Sequence, residues 1–182
     1  MTSRRRLIVV IACSAGLATV WLHLYTSQTN SARPSLSAGP DVYIERPVWS
    51  QFDNKGKLSR QLRADRLEQW PGEPDARLQE PRLTLLDSLQ RAWNASARTG
   101  RISESQAALV LDHQVELAQE PQPGGLILHT QQLWIADRGN QVETRQPVVL
   151  KLGGWQVSAS GFSAELGSRK LELTGNVRGR HE

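Results

Sequence analysis

From Asp41 onward the apolar residues of this chain alternate. Leu83 and Leu85 stand two apart, as do Val148, Leu150 and Leu152, and Leu171 and Leu173. A period of two puts such residues on one face of a strand. Turn-forming clusters separate the runs: DNKG at Asp53–Gly56, WPGEPD at Trp70–Asp75, EPQPGG at Glu120–Gly125, DRGN at Asp137–Asn140 and LGG at Leu152–Gly154. The best helix-like stretch is ESQAALVLDHQVELAQE. Even there Leu109 and Leu111, then Val115 and Leu117, keep an even step, which predicts strand on either side of a tight turn at DHQ. Many short strands with regular turn signals predict an all-β antiparallel architecture, a sandwich or barrel.

A short phrase recurs inside this pattern. It reads apolar, any residue, small or hydroxyl residue, two spacers, apolar. Leu62, Ala64, Leu67 and Gln69 form one copy. Ile102, Glu104, Ala107 and Leu109 form a weaker second. Leu128, Thr130, Leu133 and Ile135 form a third, and Val157, Ala159, Phe162 and Ala164 a fourth. The first step of two keeps one face, and the next step of three would cross to the other. A bulge or bend that absorbs one residue restores the face. The phrase therefore predicts strands that bend and keep their apolar side inward, stacked as an open-ended β-repeat. Chance recurrence of short strand phrases is the competing explanation.

The amino-terminal segment has a different character. Leu7–Tyr25 is nineteen residues without a formal charge when His23 is neutral, and Arg4–Arg6 precede it. As a helix it matches a hydrocarbon core of about 30 Å, and the arginines favour a cytoplasmic amino terminus. The expected organisation is a basic tail at 1–6, a transmembrane helix at 7–25, a Ser/Pro/Gly-rich tether at 26–40 and a β domain at 41–182. A cleaved secretory signal, and lipid attachment at Cys13, are the alternatives. Cys13 is the one cysteine, so the β domain has no disulfide.

The net charge of +4 excludes little by itself. Without the three leading arginines, 19 basic residues stand against 18 acidic ones, and they are interspersed. A nucleic-acid binder would carry a basic stripe. His23, His113, His129 and His181 show no metal-ligand spacing, and no nucleophile elbow or phosphate loop occurs. The reading is a non-enzyme without cofactor or metal.

The order of parts carries a resemblance. A basic start, one anchor, a tether and then DVYIERPVWSQFDNKGKLSRQLRADRLEQW resemble the LptC family, the membrane-anchored periplasmic component of the lipopolysaccharide export machinery. The matching elements are Asp41, Tyr43, Phe52–Asp53, Gly56, Leu62 and Ala64. Trp70 stands where the family would suggest Tyr. The closing GGWQVSASGFSAELGSRKLELTGNV is also similar. The resemblance implies a twisted, open β-jellyroll shaped like a slot, behind a single inner-membrane anchor. It implies that the chain takes lipopolysaccharide from the subunits of an ABC transporter and passes it to a soluble periplasmic β-jellyroll bridge protein. Interior candidates for acyl-chain contact are Leu62, Ala64, Leu67, Ala107, Leu109, Leu133, Ile135, Val157, Ala159, Phe162 and Ala164. Leu171, Leu173 and Val177 are candidates for a docking edge, and Gln131 and Gln132 should point away from the interior. The rival reading is an anchored adaptor with a filled core that binds only protein.

Overall fold

Among the described residues the chain runs as successive strand segments that bend from one sheet into another. The structure, a computed structural model, describes residues 39–86, 91–103, 107–120, 125–168 and 170–181. The tail, the anchor and all but the last two residues of the expected tether lie outside them. Residues Gly39–Glu182 group as one compact unit. Its strands are β1 (Val42–Glu45), β2 (Val48–Phe52), β3 (Leu58–Arg63), β4 (Arg66–Gln69), β5 (Ala76–Gln79), β6 (Arg82–Leu86), β7 (Ala92–Ser96) and β8 (Thr99–Ser103). There follow β9 (Ala108–Glu120), β10 (Ile127–Ala136), β11 (Gln141–Thr144), β12 (Val148–Leu152), β13 (Trp155–Ala159), β14 (Gly161–Glu165), β15 (Lys170–Thr174) and β16 (Arg178–His181). All pairings are antiparallel.

One sheet runs β1-β4-β5-β8-β9-β10-β11-β14-β15. The other runs β2-β3-β6-β7-β9-β10-β12-β13-β16. The two share β9 and β10, whose halves pair in different sheets. Among the described residues the domain is thus nine bent rungs: β1/β2, β3/β4, β5/β6, β7/β8, β9, β10, β11/β12, β13/β14 and β15/β16. The sheets meet along the line of bends and face each other like the arms of a V.

The bends have chemical causes. Pro47, Pro81 and Pro147 stand at three of them, and a proline, lacking an N–H, cannot serve a continuous ladder. The neighbouring bends supply donors: Ala64 and Ala97 give their N–H groups to the carbonyls of Pro47 and Pro81, each at 3.2 Å. The Thr130 hydroxyl donates to the Pro147 carbonyl at 3.1 Å. Asp65, Ser160 and Gly175 stand at three further bends, at Ala64–Asp65, between β13 and β14, and between β15 and β16. Left-handed residues recur at these sites, with φ of 50° at Arg46, 48° at Glu80 and 69° at Gly175.

The phrase marks bends in three copies. In β10 all four members are buried, with the register shift between Thr130 and Gln132. The extra residue lies across the ladder in β9, at His113 and Gln114, whose φ angles are 66° and 53°. The expected tight turn at DHQ is therefore a bulge inside one 13-residue strand. The second copy is not a bend. Its middle falls in the β8–β9 connection, Glu104 lies outside the described residues, and Ala107 is exposed at φ 47°. Ile102 and Leu109 instead face each other across the hairpin.

Candidate functional site

The interior of the V is built from cross-strand rows. Because opposed residues of an antiparallel pair share a face, the register can be followed from edge to edge. In the second sheet the row is Trp49–Leu62–Leu83–Ala95–Leu117–Leu128–Leu150–Val157–Gly179. In the first sheet one row begins Ile44–Leu67–Leu78–Gly100–Leu111–Leu133 and resumes with Thr144–Phe162–Leu173. A parallel row holds Ile102, Leu109, Ile135, Val142, Ala164 and Leu171.

The structure brings most of the residues singled out by pattern into this interior. Leu62, Ala64, Leu133, Ile135, Ala159, Phe162 and Ala164 are buried, and Leu67, Leu109 and Val157 are half-buried against the same core. Ala107, in the β8–β9 hairpin at φ 47°, is exposed, and it borders a cavity together with Leu62, Leu109 and Ile135. Gln131 is exposed as expected, but Gln132 is half-buried and engaged. Its amide donates to Asp112 Oδ1 at 2.7 Å, and its carbonyl accepts from the Trp134 indole at 3.1 Å. Arg101 completes this outer-face network with an ion pair to Asp112 at 3.0 Å.

Midway along the rows the interior is packed. Leu111, Leu117, Leu128 and Leu133 are each fully buried. At the ends it is open. Ile44 and Trp49 are exposed at one end, and Leu171, Trp155 and Val177 at the other. The outer strands explain this: among the described residues β1 and β2 each pair on one side alone, as do β15 and β16. Of the candidate edge residues Leu171 is exposed, Leu173 half-buried and Val177 exposed. Val177 lies in the bend between β15 and β16 rather than in a ladder.

Sequence reasoning missed the polar side chains of the interior. Arg60 pairs with Leu85, and Leu85 with Trp93, so all three share the inward face. The Arg60 guanidinium lies 4.4 Å from the Trp49 ring centroid. The signal was present in LSRQL, where Arg60 keeps an even step from Leu58 and Leu62.

Open-ended, bent-rung antiparallel sheets of this kind form an all-β fold of the β-jellyroll class. The fold is similar to the crystal structure of LptH, the LptA-homologous periplasmic component of the lipopolysaccharide transport device of Pseudomonas aeruginosa. The TM-score is 0.50 at 10% identity, over 75% of this chain and 96% of that one. No curated protein sequence matches the chain. The family model described as "Lipopolysaccharide-assembly, LptC-related" matches residues 7–182, and the chain belongs to that LptC family. Among the described residues no helix is long and apolar enough to cross a membrane, and no cluster of His, Cys, Asp or Glu could hold a metal ion.

Proposed function

We propose that the protein is an anchored relay for lipopolysaccharide. The run Leu7–Tyr25 holds it in the inner membrane with the β domain in the periplasm. It receives lipopolysaccharide from the ABC transporter and passes it to a soluble β-jellyroll bridge protein. Acyl chains lie between the sheets, in contact with the rows that contain Leu62, Leu133 and Phe162. One end, β1/β2, meets the transporter, and the other, β15/β16, meets the bridge protein by strand addition. Unpaired strand ends normally invite uncontrolled association, and here they are the joints of an assembly.

One observation carries this reading. Inward apolar rows span the domain from one unpaired end to the other and surface there as exposed apolar side chains. A photoreactive residue at Phe162 should crosslink to lipopolysaccharide, and one at the exposed Gln131 should not.

The packing of Leu111, Leu117, Leu128 and Leu133 favours a second reading, an adaptor with a filled core. Carriage requires the arms of the V to part at those residues. Crosslinks from Phe162 to protein alone would decide for the adaptor.

A further inference from the structure

The free edge of β16 carries a pattern that the fold itself does not need. Among the described residues β16 pairs with β13 alone, so its other side is an unfilled ladder. Its register is Ser158↔Arg178, Val157↔Gly179, Gln156↔Arg180 and Trp155↔His181. Gly179 thus ends the inward row that passes through Leu150 and Val157. Arg178 and Arg180, on either side of it, belong to the outer face. All four residues of β16 are exposed.

A glycine inside a strand costs backbone entropy and packs nothing. Conformation does not demand one here, because the φ of Gly179 is not left-handed. Crowding does not demand one either. Among the described residues an ideal Cβ would meet only Val157 Cγ2, at 3.8 Å, an ordinary contact. The bare position leaves a notch in the inward face with Val157 as its floor. Trp155 and His181 stand beside it on the same face, packed edge to face with ring centroids 4.9 Å apart. A strand added at this edge sets one inward side chain opposite Gly179, and a large ring in that place is what covers an edge glycine.

The outward side of the same edge is cationic. The cross-strand neighbours Ser158 and Gln156 are neutral, and Lys151 continues the Arg180 row. Arg180 donates to Gln156 Oε1 at 3.0 Å. Among the described residues neither arginine has an ion-pair partner.

We propose that Arg178, Gly179 and Arg180 read the partner strand as a three-residue code: acidic, large apolar, acidic. The large residue, best an aromatic one, fills the notch at Gly179, and the two carboxylates pair with the guanidiniums on the outer face. The proposal deepens the reading of β15/β16 as a strand-addition joint and rests on it. The occupant is a different protein rather than a second copy. In this chain only Glu73 and Asp75 are acids two apart, and Pro74 stands between them. A head-to-tail stack of copies would bring β2 to β16, and β2 offers Trp49 for the notch but Val48 and Ser50 for the arginines.

The test uses the full chain in nanodiscs of neutral lipid. The probes are short β-hairpin peptides that differ only in the middle of one strand: Glu-Phe-Glu, Lys-Phe-Lys or Glu-Gly-Glu. The readouts are affinity and hydrogen-exchange protection of the β16 amides. Glu-Phe-Glu should bind at least about tenfold more tightly than Lys-Phe-Lys, the scale of two edge ion pairs turned into repulsions. It should exceed Glu-Gly-Glu by about as much, through the apolar area that the ring buries. The gap to Lys-Phe-Lys should shrink in high salt. Exchanging the code should exchange the preference: Arg178→Glu combined with Arg180→Glu should favour Lys-Phe-Lys, and Gly179→Phe should favour Glu-Gly-Glu. An exchanged preference also establishes that the variant is folded. Equal protection of β16 by all three peptides overturns the code and leaves the joint standing. No protection of β16 by any of them overturns both. A preference unchanged in the exchanged variants sinks the assignment to these residues. Oligomers of the chain alone that protect β16 put a second copy at the edge and overturn the choice of partner. A code obeyed by a chain whose Phe162 gives no lipopolysaccharide crosslink supports the code and decides for the adaptor reading.

Discussion

Single side chains in this domain have effects that follow from where the bent rungs place them. Asp53 sits in the β2–β3 turn, where its Oδ1 accepts from the Lys57 N–H at 2.9 Å and the Lys55 N–H at 2.8 Å. The bond from the Lys57 amide, followed by that from Lys55, holds its pKa below the ordinary 3.8. A depressed folded pKa means that the carboxylate stabilises the turn above the unfolded pKa and stops doing so as pH falls through the folded one. The amide shifts of Lys55 and Lys57 should therefore titrate together below pH 3.8 and be insensitive to acid in Asp53→Asn. Leu133 has no exposed surface, and Leu133→Ala should cost about 3 kcal/mol of unfolding free energy, read by urea denaturation. Ala107→Asp should change stability by no more than about 0.5 kcal/mol, because the site is exposed and Asp tolerates a left-handed backbone. Both residues belong to the same sequence phrase. What separated them was a hairpin connection, which local pattern did not reveal. Arg60 was legible as a charge in step with Leu58 and Leu62, but its partners were not. Trp49, Leu85 and Arg138 reach it through pairings and a turn contact that join distant parts of the chain.

At the scale of the element, the bend is the unit that the chain repeats. Three bends were legible because two apolar steps flank a small or hydroxyl residue at Ala64, Thr130 and Ala159. Others use different chemistry and left a different trace. ERPV, QEPR and RQPV each place a proline between two short strand runs, and each proved to be a bend rather than a strand end. The bends at Ala97–Arg98 and His113–Gln114 carry neither mark, and only the pairing of their neighbours defines them. Gly175 serves the last rung. Its φ is 69°, and an ideal Cβ would lie 3.2 Å from the Ser160 Cβ. Gly175→Val should cost about 2 kcal/mol or more, since a β-branched residue is strained in this region and also meets Ser160. Hydrogen exchange should localise the loss to β15 and β16, with the amides of β9 and β10 protected as before. Protection lost across the whole domain would contradict a rung that pairs only with its neighbour.

The domain is built as a stack in one dimension, because among the described residues each rung pairs only with the rungs beside it. Deleting residues 170–182 should therefore leave the other rungs folded, with the thermal unfolding transition retained and capture of the bridge protein lost. The membrane-extracted protein should keep its amino-terminal segment by intact mass; a product starting near residue 26 or 33 would overturn the anchor. The all-β class was legible from period and turns alone. The sharing of β9 and β10 by two sheets was not, because a 13-residue strand with a bulge reads locally as two strands and a turn. The bends have one more consequence. In an ordinary strand a slip of one residue inverts every side chain from end to end. Here the alternation restarts at each bend, so the inside-or-outside assignment is stored separately in each half-rung. An added residue in β6 would invert faces only as far back as Pro81, leaving β5 in phase. The bends act as firebreaks against frameshift of the pattern, and the ridge where the two sheets meet is where the chain can best absorb a change of length.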